Sequence, residues 1–323
     1  MLDNETNTST SVFILNGIPG LEDLHIWMGF PLCSMYIIAV FGNLLIVFII
    51  KTASNLREPM YIFLCLLSIV DLLLATSTMP RMLGLFWFDS TEIAFDICLM
   101  QIFFIHFLSA MESGILVAMA FDRYVAICHP LRYTSILTNS MIGRIGLIIL
   151  TRAVTLMVPL PILLKRLPFC GSNVLTHSYC LHQDAMKLAC ADNHVNIVYG
   201  LFVILAVMGI DLLFISLSYV LIIKAVLCLS PEEANFRSFR TCAAHICAVL
   251  VFYIPLIGLS VVHRLDYNSM SHIPIHMGNV YLLVPPLLNP IVYGINTRQI
   301  RVRFVKLFHW KRATSRVCTN ANP

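Results

Sequence analysis

The sequence predicts an all-α membrane protein, a seven-transmembrane helix bundle followed by a short amphipathic C-terminal helix. Three observations predict it. The 323 residues are 59% hydrophobic and only 12% charged, with a mean hydropathy of +0.84, where soluble domains carry roughly 25% charged residues. The apolar residues gather into seven stretches, each near the ~20 residues that cross a bilayer as a helix. Basic residues fall in alternate connections, so the two termini lie on opposite sides and the number of spans is odd.

The elements follow in order. Residues 1–26 form a polar outer tail without a signal-peptide pattern, so the first span serves as its own insertion signal. Asn4 and Asn7 head two glycosylation sequons there. Residues 27–296 carry the spans. The first, 27–50, contains Gly42-Asn43, and the second, 59–79, holds Asp71 near its middle. The third, 97–128, contains His106, Glu112 and Ser113 and ends on Asp122-Arg123. The fourth, 141–164, contains Arg152. A long connection, 165–194, leads to the fifth, 196–225, which holds Asp211. The sixth and seventh run over 237–263 and 273–295. Residues 297–323 begin with basic and apolar residues in alternation, the pattern of a helix lying on the inner leaflet. Cys318 in that tail is a candidate lipidation site.

Lys51, Arg57, Arg132, Arg144, Lys224, Arg237 and Arg240, with the basic tail, mark the cytoplasmic side. The opposite connections carry Asp89, Glu92, Asp96, Asp184 and Asp192 against Lys165, Arg166 and Lys187. The N-terminus is therefore expected outside and the C-terminus inside. Of the eleven cysteines, Cys98, Cys170, Cys180 and Cys190 fall on the oxidising side. Four cysteines allow three pairings. Cys98 opens the third span and Cys180 sits mid-loop, which favours their pairing and leaves Cys170 with Cys190 to close a lid. His177, Cys180 and His182 have a spacing that a metal would accept, but the disulfide is the better use of Cys180.

The Asp122-Arg123 pair has two readings. It is a helix end whose arginine reaches to the interface, or a charged switch at the inner mouth of a receptor. The rest of the chain bears on this. Gly42-Asn43, Pro59-Met60-Tyr61, Leu67-Ser68 with Asp71, Met119 to Cys128, Ser218-Tyr219, Arg240 to His245 and Asn289-Pro290-Ile291-Val292-Tyr293 occur in order. With these motifs the chain resembles the rhodopsin-like, class A G-protein-coupled receptors, and within them the class I, fish-like odorant receptors, over nearly its whole length. It departs at Arg240, where that family often has Lys, and near Ala244, where it often has Ser.

The resemblance implies a plasma-membrane receptor for a small odorant, coupled to a stimulatory G protein and cyclic AMP. Its partners are odorant, G protein and lipid, without nucleic acid. The matching positions imply a carboxylic acid ligand. His106 stands 17 residues before Arg123, about 25 Å up the same helix. Arg264 ends the sixth span, with Ser260 one turn below it, and Gln183 follows Cys180. Each also has a plain reading: a core histidine, a snorkelling arginine, a serine bonded to its own helix. Gly200, Ile204, Met157 and Leu160 would then shape the apolar end.

For transmission, Asp211, Ser113 and Tyr253 are expected to meet beneath the ligand. Tyr219, His245, Tyr293 and Arg123 are expected to form a second polar layer below them. Asp71 and Glu112 either share a sodium ion, as the resemblance implies, or are protonated; no other cofactor is expected. A class A receptor for an endogenous metabolite would use the same machinery. A transporter would show repeats and broken helices, and an enzyme a metal set or nucleophile elbow; the sequence shows neither, so no enzymatic activity is expected.

Overall fold

The computed structural model describes residues 12–18, 20, 24–53, 56–228, 232–264, 273–297 and 299–306, and for 228, 232–241, 263–264 and 273–274 the backbone alone. The chain runs through strand β1 (Val12–Leu15), helices α1 (His25–Thr52) and α2 (Pro59–Phe88), strand β2 (Glu92–Ala94) and helix α3 (Phe95–Cys128). Short α4 (Tyr133–Ile136) leads to α5 (Asn139–Met157) and α6 (Pro159–Lys165), then to strand β3 (Val174–Leu175) and helix α7 (His182–Lys187). Helices α8 (His194–Ile204), α9 (Ile210–Cys228), α10 (Glu232–Arg264) and α11 (Ile273–Asn296) complete the order. Residues 299–306 are helical again, and Gln299 Oε1 accepts a hydrogen bond from Tyr61 at 2.7 Å.

Among the described residues, seven helical segments are long and apolar enough to cross a membrane. The fourth joins α5 to α6 across Val158, and the fifth joins α8 to α9 through a π-helical stretch, Leu205–Gly209. Helix starts obey the local chemistry. Pro59 opens α2, where its missing N–H costs nothing. Thr138 caps α5 by accepting from the Met141 amide at 3.3 Å.

The polarity of the bundle is inverted relative to a soluble protein. Ile37, Phe41, Leu73, Phe214 and Ile254 are exposed, while Asn43, Asp71, Glu112, Asp122, Asp211, His245 and Asn289 are buried. Hydrocarbon tolerates the first set outside, and the second must satisfy one another within. The third span is the axis: 67% of its apolar window is buried, against 28% for the first, fourth and fifth.

One end of the bundle is capped, and we refer to it as the disulfide end. Cys98 bonds Cys180 with Cα atoms 5.5 Å apart, and Cys170 bonds Cys190 at 6.0 Å. Here the structure corrects the reading of residues 1–26 as a merely polar tail. β1 pairs antiparallel with β2 and parallel with β3, and Ile14 faces both Glu92 and Val174. Phe13 and Leu15 are wholly buried with Cys98, Leu164 and Cys180. Asn4, Asn7 and Cys318 lie outside the described residues.

Candidate ligand site and polar relay

The cap holds α7 over the bundle. The Cys98–Cys180 bond ties the long connection to the start of α3. Gln101 adds two hydrogen bonds, accepting from the Cys180 amide at 3.0 Å and donating to Ser77 O at 3.1 Å. Gly278 on α11 lets the connection lie close, because a Cβ there would stand 2.6 Å from the Tyr179 hydroxyl. The Asp184 carboxylate accepts from the Thr176 amide at 2.7 Å and hydroxyl at 2.8 Å, and meets His177 Nδ1 at 3.2 Å. Burial alone would raise its pKa, but these partners hold it below the usual carboxylate value. Burial, with the His106 ring nearby, pushes His182 down to about 3, so its imidazole is neutral at pH 7.

Beneath α7 lies a cavity of about 490 Å³. His182, Gln183, Met186 and Lys187 line it from α7, Asn193 and Asn196 from the start of the fifth span, and Ile197, Gly200 and Ile204 from further along. Ser260 of α10 lines it as well, its Oγ donating to the Leu256 carbonyl of its own helix at 2.9 Å. A side chain added at Gly200 would meet nothing within 4 Å, so this glycine widens the cavity. Of the residues singled out from sequence, Gln183, Gly200, Ile204 and Ser260 therefore come together. His106 sits one layer away, its ring 6.3 Å edge-on from His182. Met157 and Leu160 lie instead in a packed cluster with Ala110, Ala153, Val203 and Val207. Their bulk is used up in joining the third, fourth and fifth spans. Arg264 is the last residue of α10, and its side chain falls outside the described residues. Sequence reading weighed His182 only as a metal ligand and Lys187 only as loop charge, and it gave Asn196 no role.

A second polar group sits deeper. Ser113 Oγ donates to Asp211 Oδ2 at 2.5 Å and lies 2.7 Å from the Tyr253 hydroxyl. Since the serine proton goes to the carboxylate, Tyr253 donates to Ser113. Asp211 also pairs with Arg152, whose Nη2 reaches Oδ2 at 2.8 Å. Arg152 was placed in the fourth span without a role. A lone guanidinium in mid-bilayer demands an acid, and that demand was a usable signal. Gly114 admits the close approach of the third and fourth spans, because a Cβ there would lie 2.8 Å from Ile149 and 3.2 Å from Arg152. The π-helical turn just before Asp211 adds a residue to the helix and rotates the later part of the span relative to the earlier part.

The lower layer is split. His245 Nε2 donates to the Leu116 carbonyl at 3.0 Å, so its Nδ1 accepts from Tyr219 at 2.7 Å. Among the described residues Tyr293 reaches only Met119 Sδ, at 4.0 Å. Arg123 pairs with Asp122, which also accepts from Tyr133 at 2.7 Å. Tyr293 and Arg123 thus do not join Tyr219 and His245 as the single layer read from sequence. The ion pair and the hydrogen bond to Tyr133 hold Arg123 at the third span's end. Between the two layers Asn289 Nδ2 donates to Asp71 Oδ2 at 3.0 Å and to Glu112 Oε1 at 3.2 Å. The other oxygens, Asp71 Oδ1 and Glu112 Oε2, are buried without partners among the described residues. Two buried carboxyl groups with free oxygens are a donor set that suits a small hard cation. Among the described residues no cluster of three or more His, Cys, Asp or Glu offers a transition-metal site.

A family model described as olfactory receptor matches residues 32–311. The chain belongs to the olfactory receptor family. This olfactory receptor is similar to human olfactory receptor 51E1, at 57% identity over 95% of this chain and 96% of that one. It is 58% identical to rat olfactory receptor 51E2 over 94% of each chain, and 48% identical to human olfactory receptor 52K1 over 95% and 98%. Squid rhodopsin shares the fold, with a TM-score of 0.76 at 15% identity over 91% of this chain and 87% of that one. This olfactory receptor is a class A G-protein-coupled receptor and not an enzyme. It is a multi-pass membrane protein that takes small odorants and couples to a G protein.

Proposed function

We propose that this olfactory receptor is activated by small organic acids bound beneath α7, and that it signals through a stimulatory G protein and cyclic AMP. The observation that carries the reading is the cavity itself: Gln183 and Ser260 face an apolar lining that includes Ile197 and Ile204, under a lid tied by two disulfides. Arg264, one turn beyond Ser260, is the anchor for the carboxylate, with His106 acting through His182. A hydrogen bond to a charged group contributes about 1.5–3 kcal/mol, and each buried methylene about 0.8 kcal/mol. After association costs, affinities of about 1 μM to 1 mM are expected. The disulfide end faces outward at the plasma membrane, in keeping with the basic connections at the other end.

Binding draws the outer end of the sixth span toward the acid. Tyr253 then shifts against Ser113 and Asp211, and the Arg123 end opens for a G-protein helix. The ligand drives this only through tighter binding to the open state. Asp71 and Glu112 hold a sodium ion that favours the closed state. The test titrates straight-chain acids of two to twelve carbons on cells carrying an N-terminally tagged receptor, reading cyclic AMP and surface staining without permeabilisation. Arg264→Ala should raise the half-maximal concentration at least about tenfold, as losing one charged hydrogen bond does. An unchanged dose-response with intact staining removes the anchor, and an absence of staining on intact cells reverses the orientation.

A further inference from the structure

The cavity beneath α7 presents polar groups at two places, and the acid reading above uses only one of them. Gln183 and Ser260 serve the first. The second is Lys187 with Asn196. Gln183 and Lys187 are four residues apart in α7, so they project from one side, displaced by about 6 Å along the axis. Asn196 is 3% exposed, lines the same cavity, and its Nδ2 has no acceptor among the described residues. A buried amide N–H without a partner is costly, and an acceptor on a ligand, met by a turn of the Asn196 side chain, would relieve it. Lys187 also lines the cavity, and no ion pair engages it among the described residues. The nearest acid in α7, Asp184, is held by Thr176 and His177 and is not part of the lining. Asn193 is occupied too, donating to Met186 O at 3.1 Å.

An acid with a plain alkyl tail would set methylenes against this amide and ammonium. An acceptor carrying negative charge would satisfy both. We infer that Lys187 and Asn196 form a second anion-binding end of the cavity, selecting organic acids with a second carboxylate at the far end of a short chain. The inference rests on the acid reading of the cavity and adds a specificity to it. No bond is made or broken; the selection is by charge and hydrogen bonding.

The experiment uses the full-length receptor in cells and compares hexanoic with hexanedioic acid, and pentanoic with pentanedioic acid, by cyclic AMP and surface staining. Each diacid should act at roughly fivefold lower concentration than its monoacid, the scale of a charge-assisted hydrogen bond in a wet site. Lys187→Met and Asn196→Leu should bring that ratio toward one. Lys187→Glu, at an exposed position that leaves the core untouched, should turn the preference toward the monoacid. A ratio of one or less in the unaltered receptor, or a ratio indifferent to both Lys187 variants, overturns the second end while the monoacid response keeps the acid reading alive. Silence toward all four acids with intact staining overturns both.

Discussion

In the cavity beneath α7, three buried polar atoms, Gln183 Oε1, His182 Nε2 and Asn196 Nδ2, bond to nothing among the described residues. Around Asp211, by contrast, the carboxylate takes Arg152 and Ser113, and Ser113 takes Tyr253. The two regions lie in one bundle and share α10, yet one is left open and the other is closed on itself. The difference separates recognition from transmission. Free hydrogen-bonding capacity lets a guest be chosen, while a saturated network resists change until several bonds move together. The pair Asp71–Glu112 stands between these cases, one oxygen of each bound to Asn289 and the other free.

The largest effect should come from breaking the saturated layer. Asp211→Ala leaves Arg152 without its counter-charge inside the bilayer, which costs about 3–5 kcal/mol. Surface staining should fall severely, and the double variant Asp211→Ala with Arg152→Leu should recover part of it. Near-normal staining of the single variant would mean that Arg152 finds another partner and that the layer is not closed. Next in size is Tyr253→Phe, which deletes one hydrogen bond worth about 1 kcal/mol. It should lower maximal cyclic AMP several-fold with staining retained; equal loss of both would make Tyr253 a folding residue only. The smallest effect concerns the intermediate site. Raising sodium from about 10 to 150 mM should shift the agonist response to higher concentration by about threefold, the size of a weak allosteric coupling. Asp71→Asn should abolish that shift, and a shift that survives the substitution would place sodium elsewhere.

Much of this comparison was legible in the chain. The seven apolar stretches fixed the architecture, because hydrocarbon leaves helices few alternatives. Asp211, Ser113 and Tyr253 were readable as a group because polar residues in mid-span must find one another. Arg152 was equally readable by that logic and was passed over. The cavity was harder. Gln183 and Ser260 come from helical spacing and the Cys180 anchor, but Lys187 and Asn196 depend on how α7 folds back over the fifth span. That path is set by two disulfides, a sheet and the close approach at Gly278, none of which has a periodic signature. Met157 and Leu160 show the converse. Apolar residues facing the bundle suit a pocket wall or a packed core equally well, and only the packing of Val203 and Val207 against them decides. Tyr293 and Arg123 were grouped with Tyr219 and His245 by depth alone, and depth does not set rotation about a helix.

The three-stranded sheet has a consequence for how the molecule is made. β1 leaves the ribosome well before β3, since Ile14 takes its parallel neighbour from Val174, 160 positions later. At roughly 5–20 residues per second, the strand waits on the order of ten to thirty seconds for its place, with Phe13 and Leu15 unsheltered. Assembly of the roof is therefore a late event in biogenesis, and a quality-control chaperone that grips extended apolar peptide has that interval in which to hold or discard the newborn chain.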